Sequence, residues 1–160
     1  MAAPDEAEVV AGLLVAFRDW LGNSQPADSS FRSSVARLID DADTEFLLGA
    51  PDGESSAAGV VQMRYRHSVW TTSDDAWFED LFVLDSARGT GLGRALTEFA
   101  FERARSRGCF RIQLDVNAAN EPAHALYESL GFSARSETFD GGLTLMMTRI
   151  LQDVRDPAHS

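Results

Sequence analysis

Arg88-Gly89-Thr90-Gly91-Leu92-Gly93-Arg94 is the stretch on which the reading of this chain turns. Three glycines alternate with other residues, and an arginine stands at each end. The apolar run Leu81-Phe82-Val83-Leu84 precedes it, and a helical pattern from Ala95 to Arg107 follows. Strand, glycine loop and helix in that order suit a phosphate. Glycines let backbone N–H groups converge on one point, and the helix N-terminus adds roughly half a positive charge there. The two arginines can add charge-assisted hydrogen bonds to phosphate oxygens. Taken alone, the segment also reads as a plain glycine-rich turn.

Two familiar phosphate loops do not fit. A Walker loop ends in Gly-Lys-Ser/Thr, and the chain has no lysine: its 14 basic residues are all arginine. A dinucleotide fingerprint needs G-x-G-x-x-G, but counting from Gly89 or Gly91 puts Arg94 or Leu96 where the third glycine belongs. What remains is R-x-x-G-x-G, read as Arg88, Gly91 and Gly93. This pattern resembles the acetyl-CoA pyrophosphate loop of the GNAT superfamily of N-acetyltransferases.

The resemblance extends downstream. Asn120-Glu121-Pro122-Ala123-His124-Ala125-Leu126-Tyr127, followed by Gly131-Phe132, is similar to the family's N-x-x-A-x-x-L-Y…G-F signature. The family often has proline where Asp85 or Ser86 stands, a mild departure. Together the motifs cover Trp77 to Ser133, and their wording is closest to the polyamine and small-amine branch. The resemblance implies an α/β fold: a mixed, mostly antiparallel sheet of about six strands, helices on both faces, and a central V-shaped split. It also implies acetyl-CoA as co-substrate, held by Leu81, Phe82, Val83, Arg88, Gly89, Thr90, Gly91, Leu92, Gly93, Arg94, Asn120 and Ala123. It allows a homodimer.

A length of 160 residues suits one domain, 1–151, with a polar tail at 152–160. No apolar run approaches the ~20 residues that span a bilayer, so no membrane partner is expected. The acidic start, Met1 to Glu6, does not resemble a secretory signal. The single cysteine, Cys109, cannot form an internal disulfide, which favours a cytoplasmic protein. Formal net charge is -11. Residues 88–111 are the one basic block, with 6 arginines against 2 acids. An acidic body argues against nucleic acid as a partner and suits cationic amines.

Helical spacing runs through residues 6–22 and again from Phe31 to Ile39. Strands are expected at Glu45–Ala50, Ala57–His67, Val69–Thr72, Trp77–Leu84 and Phe110–Val116, with Asp74-Asp75 as a hairpin turn. A short helix is expected over Pro122–Leu130. A final hairpin is expected to run from Phe132 through Asp140-Gly141-Gly142 to Ile150. Members of the family usually open with a strand, whereas here a helix starts near residue 6.

Acetyl transfer to an amine requires a bound thioester, a polarised carbonyl, a deprotonated amine and a proton for the leaving thiolate. The resemblance implies that Tyr127 is the general acid. A phenol with pKa ~10 is matched to a thiolate of similar basicity. It also favours Glu79 as general base, acting through a water. Strand alternation sets Glu79, Leu81 and Val83 on one face, and Asp80 and Phe82 on the other. A solvated or ion-paired carboxylate is the other reading of Glu79. Asp74, Asp75 and Asp80 could hold a second ammonium of the substrate. Arg103, Arg105 and Arg107 read as a solvated helix face, Trp20, Trp70 and Trp77 as core or cleft-lining aromatics, and Cys109 as a core residue. The histidines 67, 124 and 159 have no metal-ligand spacing, so no metal is expected. The function that follows is transfer of acetyl from acetyl-CoA to the primary amine of a small molecule, by direct attack in a ternary complex. A protein or peptide N-acetyltransferase and a non-catalytic acyl-CoA-binding module are the alternatives.

Overall fold

The computed structural model describes residues 1–135 and 139–149. The chain divides into two compact units, Met1–Leu114 and Asp115–Ser160. No helix among the described residues is long and apolar enough to cross a membrane.

In the first unit, helices α1 (Ala7–Trp20) and α2 (Asp28–Leu38) lead into a meander of strands β1 (Thr44–Gly49), β2 (Gly59–Ser68) and β3 (Ser73–Val83). Helix α3 (Leu92–Ser106) then crosses over to β4 (Ile112–Gln113). The sheet order is β1-β2-β3-β4, antiparallel except for the parallel β3–β4 pair. Among the described residues four strands stand where about six were expected. Val69–Thr72 is not a strand but the β2–β3 turn, where Thr72 takes a left-handed φ of 53°. Asp74 and Asp75 lie within β3, opposite His67 and Arg66; Asp74 meets His67 across the strands at 3.3 Å, a contact that prevails over the turn preference of aspartate. Beyond Gln113 the expected fifth strand forms no ladder with any described residue.

Alternation sorts the core into two layers. Phe46, Val60 and Phe82 on one face join Val10, Leu13 and Leu14 of α1 and Val35 of α2 in one buried cluster. Gly49 and Gly59 on the other face sit against the start of α3. A Cβ on Gly49 would lie 2.9 Å from Leu92 Cδ1, and one on Gly59 would lie 2.8 Å from Leu96 Cδ1. Those two glycines let the helix N-terminus settle close on the sheet. Each fully buried Phe, Leu, Val or Met contributes roughly 1.5–3 kcal/mol. At the edge of β1, Ala2 N–H donates to Phe46 O at 2.7 Å, where relatives of the resembled family carry a first strand.

The far end of α3 is anchored by a buried carboxylate. Glu45, 4% exposed in its side chain, accepts from Arg103 at 2.7 and 3.0 Å and from Tyr65 Oη at 3.0 Å. Arg107 lies 3.4 Å from the same group and stacks 3.9 Å over the Tyr65 ring. Arg103 and Arg107 are therefore an internal clamp, not a solvated face. Helical spacing fixed which face they occupy but not that β1 holds an acid opposite. Burial pushes the Glu45 carboxyl up, and the bonds from Arg103 and Tyr65 outweigh it, leaving it below its ordinary value. Burial pushes the Tyr65 phenol up, and Glu45 pushes it further.

The second unit carries α4 (Glu121–Ser129). Asn120 caps it, its side chain accepting from Ala123 N–H at 3.4 Å. Gly131, at φ 90°, ends it, and Phe132 N–H returns to Tyr127 O at 3.0 Å. Of the final hairpin, the described residues contain one antiparallel bridge, Arg135 with Leu143. Residues 136–138 and 150–160, which include the expected tail at 152–160, lie outside the described residues.

Candidate functional site

The site is built where β3 runs into α3. Gln62 pairs with Asp80 and Met63 with Phe78, so Glu79 is an extra residue on β3, a β-bulge. The bulge resets the alternation. Asp80 and Phe82 share the α1 side, while Phe78 turns with Met63 to the α3 side. Glu79 stands exposed at the bulge itself.

The bulge also marks where β3 and β4 part. β4 pairs only at Ala76↔Ile112 and Trp77↔Gln113, and from Phe78 to Val83 no described residue pairs with β3 on that side. Leu84 N–H points to β2, donating to Ala58 O at 2.8 Å. Alternation then turns the peptide groups of Leu81 and Val83 to the open side and those of Phe82 toward β2. Of the three residues expected to lend backbone groups, Phe82 thus has its own committed to the sheet. Its ring packs instead on Phe17 of α1, 5.2 Å between centroids.

After a single turn at Asp85–Ala87 the chain enters the glycine loop. Gly89 and Gly91 adopt φ of 75° and 90°, which side chains other than Asn or Asp rarely accept. Gly91 is the N-cap of α3, and no side chain caps the helix. The first turn, Leu92-Gly93-Arg94, contains no acid. A Cβ at Gly89 or Gly91 would meet nothing within 4 Å. Orphan N–H groups at a helix start, a positive dipole end and open space in front of it are the requirements of an anion cradle. The residues present therefore fit a pyrophosphate.

The loop's arginines are disposed differently from each other. Arg94 is half-exposed and 3.7 Å from Glu98. Arg88 turns back beneath the loop. Its Nε donates to Val83 O at 3.1 Å, it pairs with Asp85 at 2.8 Å, and it stacks 4.6 Å over the Trp20 ring. Trp20 was legible only as a core or cleft-lining aromatic; nothing in its local pattern specifies a cation from a loop 68 positions on. Trp70, in the β2–β3 turn, is 93% exposed and not core. Trp77 carries Arg66 at 5.0 Å.

In the second unit Tyr127 is buried on α4, edge-on to Phe132 at 5.6 Å. Asp75, 3% exposed, is held by Arg111 at 2.8 Å. That pair fastens β3 to the start of β4 and explains why this aspartate is inside a strand. Among the described residues no three His, Cys, Asp or Glu side chains gather as for a metal ion. Cys109 is half-buried, and burial pushes its thiol up, with Asp74 adding to it.

The strand–bulge–loop–helix geometry has known counterparts. The Acetyltransferase (GNAT) family matches over residues 13–132, and the chain belongs to that family. A mycothiol acetyltransferase from Corynebacterium aurimucosum is 33% identical over 109 residues, 66% of this chain and 35% of that protein. The chain spans less than half the length of the mycothiol acetyltransferases it matches. An aminoglycoside N(6')-acetyltransferase type 1 from Stenotrophomonas maltophilia is 30% identical over 113 residues, 70% of this chain and 74% of that one. A crystal structure from Arthrobacter sp. FB24, assigned as an acetyltransferase, superposes with TM-score 0.83 at 27% identity, covering 94% of this chain and 93% of the other.

Proposed function

We propose that the chain transfers an acetyl group from acetyl-CoA to the primary amine of a small molecule, by direct attack in a ternary complex. The observation that carries this reading is the uncapped, acid-free N-terminus of α3 beside the unpaired edge of β3. Family membership supports it, and so does the N-acetylation of an aminoglycoside named for one relative.

The chain's own residues divide the work. The backbone of Gly89 to Gly93 holds the pyrophosphate, with Arg94 at its rim. The open peptide groups of Leu81 and Val83 pair with the pantetheine arm, and one N–H polarises the thioester carbonyl, worth roughly 3 kcal/mol for a single donor. Acetyl-CoA supplies the activated acyl carbon. Glu79, exposed at the bulge, takes the proton of the incoming ammonium through a water. Tyr127 gives a proton to the departing thiolate, the role its motif carries in the family. Asn120 and Ala123 serve chiefly to start α4, and the motif adds a contact to CoA. The gap that opens beyond Trp77 supports the V-shaped split of the family. A family match continuous from 13 to 132 supports reading residues 1–151 as one acetyltransferase domain. With one cysteine, the setting we favour is the cytoplasm.

The test is release of free CoA thiol across a panel of polyamines, aminoglycosides, amino acids and peptides, with CoA affinity measured in parallel. Amine-dependent thiol release is expected. CoA binding with no release for any amine would leave only the binding-module alternative.

A further inference from the structure

Alternation lays a polar band across the α1 side of the sheet, on the side of the bulge away from the glycine loop. Strand register sets Thr44, Arg64, Trp77 and Gln113 in one row from β1 to β4, and Arg66, Asp75 and Arg111 in the next. Thr44 Oγ1, Arg64 Nε, Gln113 Oε1 and Asp75 Oδ1 are buried atoms with no hydrogen-bond partner among the described residues, and all four belong to these two rows. Native interiors leave few such groups unpaired, so several on one face mark a place for a polar guest. The donors, Arg64 and Thr44, lie on the β1–β2 side of Trp77. The acceptors, Gln113 and Asp75, lie on the β3–β4 side, next to where those strands part.

Arg64 is the cation of this band that nothing answers. Among the described residues it has no ion-pair, hydrogen-bond or ring partner. Arg111 is held by Asp75 at 2.8 Å, and Arg66 lies over the Trp77 ring at 5.0 Å. Asp80, one row nearer the glycine loop, is engaged in an interaction that Arg64 does not share. Before β1, Asp43 turns to Arg107 at 3.8 Å, Asp41 accepts from the Asp43 N–H at 2.8 Å, and Asp40 is exposed beyond them. Counting the two rows together with Asp80, three arginines meet two aspartates, which leaves room for one negative charge.

We infer that this face takes the acetyl acceptor as a short amino carboxylate, an amino acid, with Arg64 and Thr44 holding its carboxylate and its amine directed to the β3–β4 split. This rests on the acetyltransferase reading above and narrows it. A carboxylate brings one negative charge and two oxygens to the guanidinium fork, and it answers a donor that is otherwise unpaired. A phosphate would bring a second negative charge toward Asp75 and Glu79, and a polyamine offers Arg64 only like charge. The spans agree. Arg64 and Gln113 are two strand spacings apart, about 10 Å between backbones, and the row of Trp77 precedes the bulge at Glu79 by two residues, about 7 Å. Long side chains shorten both distances, so an amine and a carboxylate separated by a few bonds fit. Arg64 is here a specificity-determining residue; Glu79 retains the proton transfer.

The test pairs the common L-amino acids with their own carboxamides, which keep the shape and remove the charge, and adds spermidine and kanamycin, using the whole chain. Binding by calorimetry is read separately from thiol release and from CoA affinity. The expected result is that at least one amino acid binds and is acetylated with a kcat/KM at least 100-fold above that of its amide, of spermidine and of kanamycin. Arg64→Met should then raise the KM of that amino acid at least tenfold, with kcat changed less than threefold and with CoA affinity and the KM of the amide unchanged. Its thermal melt should be no lower than that of the wild type, because the charge removed has no partner. Arg64→Lys keeps the charge and loses the fork, and its KM should fall between the two. An amino acid turned over no better than its amide, or equally well by wild type and Arg64→Met, would overturn the inference. So would a wild-type chain that binds no amino acid. Turnover confined to amines without a carboxylate would overturn the inference and leave the acetyltransferase reading standing. Amino-acid binding that Arg64→Met weakens, with no thiol release from any amine, would uphold the carboxylate site and overturn the acetyltransferase reading instead.

Discussion

Replacing Glu45 with glutamine should destabilise the protein far more than an ordinary surface change. The carboxylate gives one oxygen to Arg103 Nε and Tyr65 Oη, and the other to Arg103 Nη2 and Arg107. An amide keeps only one acceptor oxygen, and its NH₂ group then faces two donors. Two hydrogen bonds involving charged groups are lost, each worth about 1.5–3 kcal/mol. Arg103 and Arg107 are 30% and 27% exposed, so water recovers part of that loss. The net cost is about 2–4 kcal/mol, and at ~2–4 °C per kcal/mol for a chain of this size Tm falls by about 4–16 °C. The pH dependence fixes the sign. The Glu45 carboxyl is depressed in the folded state, so its stabilisation is fully present above its unfolded value near 4.5. It is lost as pH falls through the lower folded value. The gap between wild type and Glu45→Gln should therefore be constant from pH 8 to 5 and close below about pH 4.5. Urea unfolding at a series of pH values measures it. A loss below 1 kcal/mol at pH 7, or a gap that widens on acidification, would refute the clamp.

Two further outcomes follow from the site. Tyr127→Phe should keep CoA affinity and lose about 10²-fold in kcat, read by thiol release; an unchanged kcat removes Tyr127 from the mechanism. Cys109 should react slowly with a disulfide reagent at pH 7, because burial raises its thiol and keeps the thiolate scarce. Rapid labelling of the native chain, equal to that in denaturant, would contradict the half-buried position.

Local signals carried the fold where the physics is local. The 3.6 period gave α1, α2 and α3 to within a few residues, and the alternating glycines gave the positive-φ loop at the start of α3. Asn120, which the resemblance puts at the acetyl-CoA site, proves also to cap α4. Long-range pairing was not legible. Asp74 and Asp75 read as a turn because their neighbours in sequence resemble one, while the partners that hold them in β3 are His67 and Arg111. Glu45 carried no motif, and its importance comes from arginines 58 and 62 positions away. The bulge at Glu79 adds one residue to the ladder, a register event invisible to composition, and it decides that Asp80 and not Phe78 shares the α1 side. Arg88 illustrates the same limit: its charge suggested a phosphate ligand, and its fold-back onto Trp20 and Val83 O depends on where α1 ends.

The central claim is that the start of α3 holds the CoA pyrophosphate, and a matched pair of substitutions at Gly91 tests it. Asparagine and aspartate both tolerate the left-handed backbone and both cap helices well, so α3 should survive either change. Neither meets packed atoms, since a Cβ there has nothing within 4 Å. They differ in charge. The introduced carboxylate would occupy the N–H groups the pyrophosphate needs and repel it. Calorimetry with CoA should find Gly91→Asp at least 100-fold weaker than wild type, and well below Gly91→Asn, with thermal melts unchanged between the two variants. Wild-type affinity in a folded Gly91→Asp protein would contradict the account.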